Sequence, residues 1–307
     1  MRGKVALVTG GTGFVGSNLC RSLLNNGWRV HIIAIPHDTG GTLLNDIRDQ
    51  LDIHVHDGST DGMTSIIATV MPDMVFHLAS LFLSEHTAQD IDRLIISNVL
   101  FGTQLLEAMA VHGVFRIVNT GTSWQHYGNE TYSPVNLYAA TKQAFEDVMK
   151  YYVEARGMNA VTLKLFDTYG PNDPRPKLFH LLEKLAHEGT SLTMSPGEQV
   201  IDLVHVSDVV TAFEIASDRL AHGLVEGHEA YAVSSGSPMT LKEVVELFER
   251  ALGRNLAIEW GGRPYRAREV MSLWDKGKRL PCWSQAYSLE TGINDLLKSK
   301  EMYESNN

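Results

Sequence analysis

The chain has 307 residues, 44% hydrophobic and 20% charged, with a formal net charge of −10. That length exceeds one small core and suits two lobes, or one large α/β domain with an appendage. An acidic chain lacks the basic footprint that nucleic-acid phosphates require, which excludes nucleic acid as a main partner, whereas an anionic nucleotide needs only a locally positive pocket.

Val5-Ala6-Leu7-Val8-Thr9 is an apolar run suited to a parallel strand covered on both faces. Gly10, Gly13 and Gly16 follow at three-residue spacing, and Phe14-Val15 open a helix. Strand, side-chain-free turn and helix N-terminus in this order meet the needs of a pyrophosphate: close backbone approach, free amides and the positive end of a helix dipole. Gly10, Thr12, Gly13, Phe14, Val15 and Gly16 are therefore the predicted cofactor contacts of a dinucleotide site, with Gly16 also letting the helix pack closely on the strand.

Val30–Ala34 reads as the second strand, whose end carries Asp or Glu where the ribose 2′-hydroxyl of NAD is held. Ala34 has no carboxylate, which tilts the expectation to NADP, with NAD as the alternative. His37 is the candidate partner for a 2′-phosphate, and Asp38 would reach the ribose if the loop is longer. Asp52–Asp57 reads as a third strand; Asp57, with Gly58 beside it, is either an adenine contact or a helix cap. His54 and His56 share one strand face and lack a third ligand at metal spacing, so they read as structural. Met74–Ser80 is a fourth strand, ending in Leu78, Ala79 and Ser80 where backbone must pass near a ligand. A helical stretch over about 90–112 contains Asn98, and Phe115–Asn119 is a fifth strand leading into Thr120-Gly121-Thr122-Ser123. Alternating strands and helices imply a Rossmann-like, doubly wound parallel sheet.

Tyr138 and Lys142 lie four apart within a predicted helix over Val135–Arg156, hence on one face. An ammonium beside a phenol favours phenolate, so Tyr138 is expected to have a pKa lowered toward neutrality and to serve as an acid or base. Beyond residue 170 the chain is expected to form a smaller lobe, with residues 200–220 crossing back. Leu241–Leu252 reads as an amphipathic helix capped by Thr240, Lys276–Arg279 as an exposed turn, and Ser288 as the cap of a last helix. No apolar run of membrane-span length and no signal peptide stand out, giving the expectation of a cytoplasmic protein without a membrane partner. Cys20 and Cys282 form no disulfide framework and read as packed hydrophobes.

Together these motifs resemble the extended short-chain dehydrogenase/reductases that act on nucleotide sugars: Thr9–Gly16, His77–Ser80, Tyr138–Lys142, Phe166-Asp167-Thr168-Tyr169-Gly170-Pro171 and Gly197–Asp208. The resemblance covers nearly the whole chain and implies a nicotinamide-binding domain at 1–168, a nucleotide-sugar lobe at 169–307, and a homodimer. It makes Tyr138 the proton donor or acceptor and Lys142 the ribose ligand that tunes it. Ser123, four residues before the Tyr127-Gly128 pair, becomes the hydroxyl partner, with Thr122 able to substitute. Asn98 matches a structural asparagine and Asp57 the adenine contact. The related 4,6-dehydratases carry Asp-Glu after that Ser/Thr, whereas this chain has Trp124-Gln125, which cannot supply the acid and base of an elimination. Asp167 replaces a usual Asn and Ile201 a usual Arg, so Arg175, Lys177, Arg266 and Arg268 are the candidate diphosphate ligands. Residues 121–127, 134–138 and 265–271 look most like the CDP-4-keto-6-deoxyhexose reductases, with Trp124, Gln125 and His126 expected to line the sugar pocket. A 4-epimerase retaining its NAD is the rival, and a non-catalytic nucleotide-binding module stands below it.

Overall fold

Alternate residues of the first strand, β1 (Val5–Thr9), face opposite layers. In the computed structural model, which describes residues 3–36 and 42–304, Ala6 and Val8 pack with Leu19, Val209 and Phe213. Val5 and Leu7 pack with Ile67, Leu105 and Phe145 on the other side. Both faces are thus covered, which is why these strands carry continuous apolar runs rather than alternation. Emptying either layer is costly: removing a buried phenylalanine such as Phe145 or Phe213 costs about 3–5 kcal/mol. The His37 and Asp38 readings lie outside the described residues.

The chain continues through α1 (Phe14–Asn25), β2 (Arg29–Ala34), β3 (Leu51–Val55), α2 (Thr60–Val70) and β4 (Met74–His77). A long helical run over 88–111 ends in α3 (Phe101–Val111) and leads to β5 (Arg116–Thr122), α4 (Leu137–Arg156) and β6 (Asn159–Leu165). After β7 (Asp167–Tyr169) come α5 (Leu178–Glu188), β8 (Leu192–Met194), β9 (Val200–Ile201), β10 (Leu203–His205) and α6 (Val206–Ala221). β11 (His228–Val233), β12 (Met239–Thr240), α7 (Leu241–Leu252), β13 (Ile258–Trp260) and α8 (Leu289–Glu304) complete it. Seven parallel strands form the main sheet in the order β11-β6-β5-β4-β1-β2-β3. The order reverses between β1 and β4, so a crevice opens at their carboxyl ends, where ligands bind in such sheets. The chain returns to this body twice after residue 170, through α6 and β11.

The smaller lobe has its own core, in which Phe179, Leu182, Val244, Phe248 and Ile293 meet. Thr240 caps α7 through a reciprocal pair with Glu243, and Ser288 accepts from the Thr291 amide at the start of α8. α4 begins at Leu137, capped by Asn136, two residues later than Val135. Lys276, Lys278 and Arg279 are exposed as expected, but the segment lies along the edge of β11, where the Lys278 carbonyl accepts from the Ala232 amide.

The expectation that no run reaches membrane-span length needs correction. Residues 88–111 form a 24-residue helix apolar and long enough for one, and 44% of its most apolar window is buried inside the fold. Asp92, Arg93 and Asn98 interrupt the apolar run but do not break the helix. A π-turn at Ile96–Leu100 carries Asn98, whose amide accepts from the Leu81 N–H and donates to the Leu81 carbonyl and to Thr141. Asn98 therefore ties the segment after β4 to α4.

Several histidines are held neutral by burial. His77, at the end of β4, shares a 2.8 Å hydrogen bond with the Thr9 hydroxyl, and burial with the Lys142 charge pushes its pKa down to about 3. His31 and His54, 2.9 Å apart on adjacent strands, and His228 on β11 are also lowered, chiefly by desolvation. A histidine depressed in the fold takes up more protons when unfolded, so its stabilising effect holds above pH 6.5 and is lost as the pH falls. We predict that stability declines between pH 7 and pH 5, with His77 alone accounting for about 2 kcal/mol. Urea unfolding at the two pH values checks this; equal midpoints would refute it.

Candidate active site

The turn after β1 is shaped by what it cannot accommodate. Gly10 has φ +71°, and a Cβ there would lie 2.7 Å from the Ala79 amide nitrogen. A Cβ on Gly16 would run into the Gly10 carbonyl oxygen. Glycine at both places lets α1 start directly against the turn and the turn lie against the end of β4. The Thr9 hydroxyl accepts from the Ala79 N–H, locking β1 to β4 beneath it. α1 starts at Phe14, with Gly13 as an N-cap that offers no side chain and no acidic residue in the first turn. Its amides and dipole are thus left for an anion.

A cleft of about 610 Å³ runs from this turn along the carboxyl ends of β1, β4 and β5. It brings together Gly10, Gly13, Phe14, Val15, Gly16, Leu78 and Ser80 with Thr122, Ser123, Trp124, Tyr138, Asp167, Arg175 and Lys177. A second cavity of about 300 Å³ shares Trp124, Asp167, Arg175 and Lys177 and adds Arg266 and Ile201. Each cation there has a carboxylate partner. Arg175 grips Asp173 with two nitrogens and lies 4.7 Å from the Phe14 ring. Lys177 is 3.3 Å from Asp167, and Arg266 pairs with Glu269 above the Trp124 ring.

Tyr138 and Lys142 sit on the buried face of α4, as their spacing requires. The expected lowering of the Tyr138 pKa does not occur. Burial raises it to about 12, against weaker lowering by a hydrogen bond with Ser80 and by the Arg175 charge. The Lys142 ammonium lies 6.0 Å from the centre of the Tyr138 ring, and burial pushes Lys142 itself down to about 8. Tyr138 is therefore a phenol at neutral pH, suited to donate a proton to an oxygen that becomes an alkoxide. Phe82 packs edge-on to it at 5.0 Å and leans on Trp124 at 5.6 Å, giving the cleft an aromatic wall. Sequence reasoning missed Phe82, which carries no motif.

Four further predictions meet the structure differently. Gln125 does not line the cleft: it is fully buried, accepting from the Thr122 N–H and donating to Gln143 and Glu146. His126 also lies behind the wall, stacked on Trp274 at 3.9 Å and accepting from Lys164 at 3.0 Å. The chain enters a 3₁₀ turn at Ser123–Gln125, which sends successive side chains in different directions. Arg268 reaches Ser133 and the Tyr127 ring instead of the cavity, and Arg266 occupies that place. One oxygen of Asp57 accepts from both the amide and hydroxyl of Ser59, the N-cap of α2, so capping is the interaction in hand. Gly58, with φ +90°, offers its carbonyl to Gln104, while Ala79 and partly buried Thr12 stand at the turn.

Residues 6–231 match the NAD dependent epimerase/dehydratase family, and the chain belongs to it. It is 27% identical to the CDP-abequose synthase of Salmonella muenchen over 97% of this chain and 98% of that one. It is 26% identical to the UDP-glucose 4-epimerase GEPI48 of Cyamopsis tetragonoloba, over 96% and 94% of the two chains. The solved structure of MoeE5 in complex with UDP-glucuronic acid and NAD superposes with a TM-score of 0.78 at 25% identity, covering 98% and 100%. The chain is thus a nucleotide-sugar enzyme of an NAD-dependent family with a Rossmann-like parallel sheet.

The residues present fit a dinucleotide. Gly10, Gly13 and Gly16 leave a cradle that side chains would fill, and Tyr138 lines the same cleft, with Lys142 buried one turn further along α4. When bound, the nicotinamide supplies or accepts hydride. We predict that Gly16→Ala weakens nicotinamide-cofactor binding at least tenfold and costs about 1–3 kcal/mol of stability, because backbone must give way. Fluorescence titration with NADH and NADPH reads the first and thermal unfolding the second; wild-type affinity would refute it.

Proposed function

We propose that this chain is an NAD(P)H-dependent 4-ketoreductase acting on a nucleotide-diphosphate-4-keto-6-deoxyhexose. The observation that carries the reading is the aromatic wall of Phe82 and Trp124 packed against the Tyr138 phenol. A reductase needs a proton donor at the carbonyl oxygen, and a 6-deoxy sugar presents a methyl group that an apolar wall receives without an unpaired polar atom. Ser123 would hold the carbonyl oxygen, Tyr138 would protonate it, and Lys142 would orient the nicotinamide ribose. Trp124 and Gln125 leave no acid–base pair for eliminating water. The sugar would lie in the larger cleft and the nucleotide diphosphate in the adjoining cavity, drawn by Arg175, Lys177 and Arg266. Likeness to a CDP-abequose synthase supports the reading.

NADP is the proposed cofactor, since β2 ends at Ala34 and is followed by Ile35 and Pro36, with no carboxylate among them to hold a 2′-hydroxyl. A second copy of the chain is the proposed macromolecular partner, and Ile91, Ile95, Ile96 and Leu100 supply an exposed apolar row for it. A 4-epimerase is the second reading, favoured by the near-equal identity to a UDP-glucose 4-epimerase.

A panel of 4-keto-6-deoxy nucleotide sugars with NADPH or NADH separates the two by absorbance. We expect stoichiometric cofactor consumption; interconversion of UDP-sugars without added cofactor, by protein that copurifies with NAD, would overturn the reductase. Tyr138→Phe is expected to lower turnover ~10²–10⁴-fold while leaving cofactor affinity largely unchanged. Wild-type turnover in that variant would end the mechanism, and unchanged nucleotide-sugar affinity with no turnover in the wild type would support a binding module.

A further inference from the structure

Lys142 is 3% exposed, and a lone ammonium in that position would give up its proton. Its environment holds an answer that no catalytic motif names. One turn further along α4, Glu146 is 7% exposed, and its charge opposes the desolvation of Lys142. Glu146 is itself held from two sides. One oxygen accepts from the Gln125 amide at 2.9 Å, and the other lies 3.4 Å from the ammonium of Lys164 on β6. Lys164 is 5% exposed and donates to Nε2 of His126 at 3.0 Å, whose Nδ1–H donates to the Glu130 carbonyl. His126 is thus fixed as a neutral imidazole on Trp274. Other ionisable groups around this network are His77 on β4 and His228 on β11, both kept neutral by burial, Tyr138, and Lys150 and Glu229, whose charges act on His228.

We propose that Glu146 and Lys164 are positioning residues for the Tyr138–Lys142 pair: the carboxylate keeps Lys142 cationic toward the nicotinamide ribose, and Lys164 with Gln125 keeps that carboxylate from closing on Lys142 and masking it. The cluster holds two buried cations, Lys142 and Lys164, and one buried anion, Glu146, so it retains a single positive charge. The division matters chemically. A carboxylate bound to Lys142 alone would occupy the donors that a ribose hydroxyl needs, and with no carboxylate the amine would be neutral.

This inference rests on Lys142 as the ribose ligand, part of the reading above, and is independent of which sugar is turned over. Its test is the pH dependence of NADPH and NADH affinity, followed by fluorescence, in the wild type and in variants. The wild-type alkaline limb should fall near pH 8, where Lys142 titrates. Glu146→Gln should move the limb down by about one pH unit, because it removes the anion that favours the ammonium, and Lys164→Gln should move it up, because it frees that anion to close on Lys142. Glu146→Asp should restore part of the shift. A merely structural pair would weaken folding in both variants without opposite movements of the limb. If Glu146→Gln fails to fold, the upward shift in Lys164→Gln and an intermediate limb in the double variant decide the matter. Coincident limbs, or shifts in the same direction, overturn the proposal. Opposite shifts in a protein that reduces no keto sugar would leave this inference standing and remove the reductase.

Discussion

A charge driven into a protein interior must be answered there, and the answer to Lys142 organises this enzyme. α4 presents Tyr138, Lys142 and Glu146 in successive turns of one buried face. That face packs on the sheet through Phe145 and Met149, so its polar residues meet the strand ends and not solvent. Lys164 on β6 and Gln125 after β5 complete the polar layer. Neighbouring polar groups satisfy one another, and each buried pair is secure only while its partners remain.

The same helix is held from the opposite side by a polar seam. Thr141, adjacent to Lys142, receives the Asn98 amide, which also clasps the backbone of Leu81. The segment between β4 and the long helix therefore cannot shift without moving α4, and this segment contributes Ser80 and Phe82 to the cleft. On the far side of the crevice, Thr9, His77 and Ala79 lock β1 to β4. The glycine turn and Tyr138 thus stand on two frames tied to the ends of β1 and β4. A parallel sheet suits this because its carboxyl ends converge on one edge.

Much of this frame was legible in the sequence, and the gaps have physical causes. Gly10, Gly13 and Gly16 were readable because a close backbone approach leaves only glycine, a local requirement. Tyr138 and Lys142 were readable because helical periodicity places i and i+4 together. Gln125 and His126 were misread because a strand passes into a 3₁₀ turn at Ser123, and no period survives that change. Arg266 and Arg268 stand two apart in a loop, where spacing says nothing about which one enters a cavity. The direction of the Tyr138 pKa failed for another reason. Proximity to Lys142 is a local fact, but the depth of both groups is a property of the whole fold. Glu146 had a signal, an acid four residues after Lys142 in helical register, whose meaning depended on Lys164 arriving from β6.

That depth also bears on the direction of chemistry. A phenol held at about 12 by burial keeps its proton at neutral pH. It is poor at drawing a proton from a sugar hydroxyl and well suited to giving one to a carbonyl oxygen that is gaining charge. Oxidation would ask the site to lower the pKa first, through positive charge close to the phenol oxygen. In this fold two cations of the cleft divide their charge with carboxylates: Arg175 with Asp173 and Lys177 with Asp167. A cleft whose cations are already answered lowers a phenol little. Burial, more than any neighbouring charge, is what leaves Tyr138 protonated.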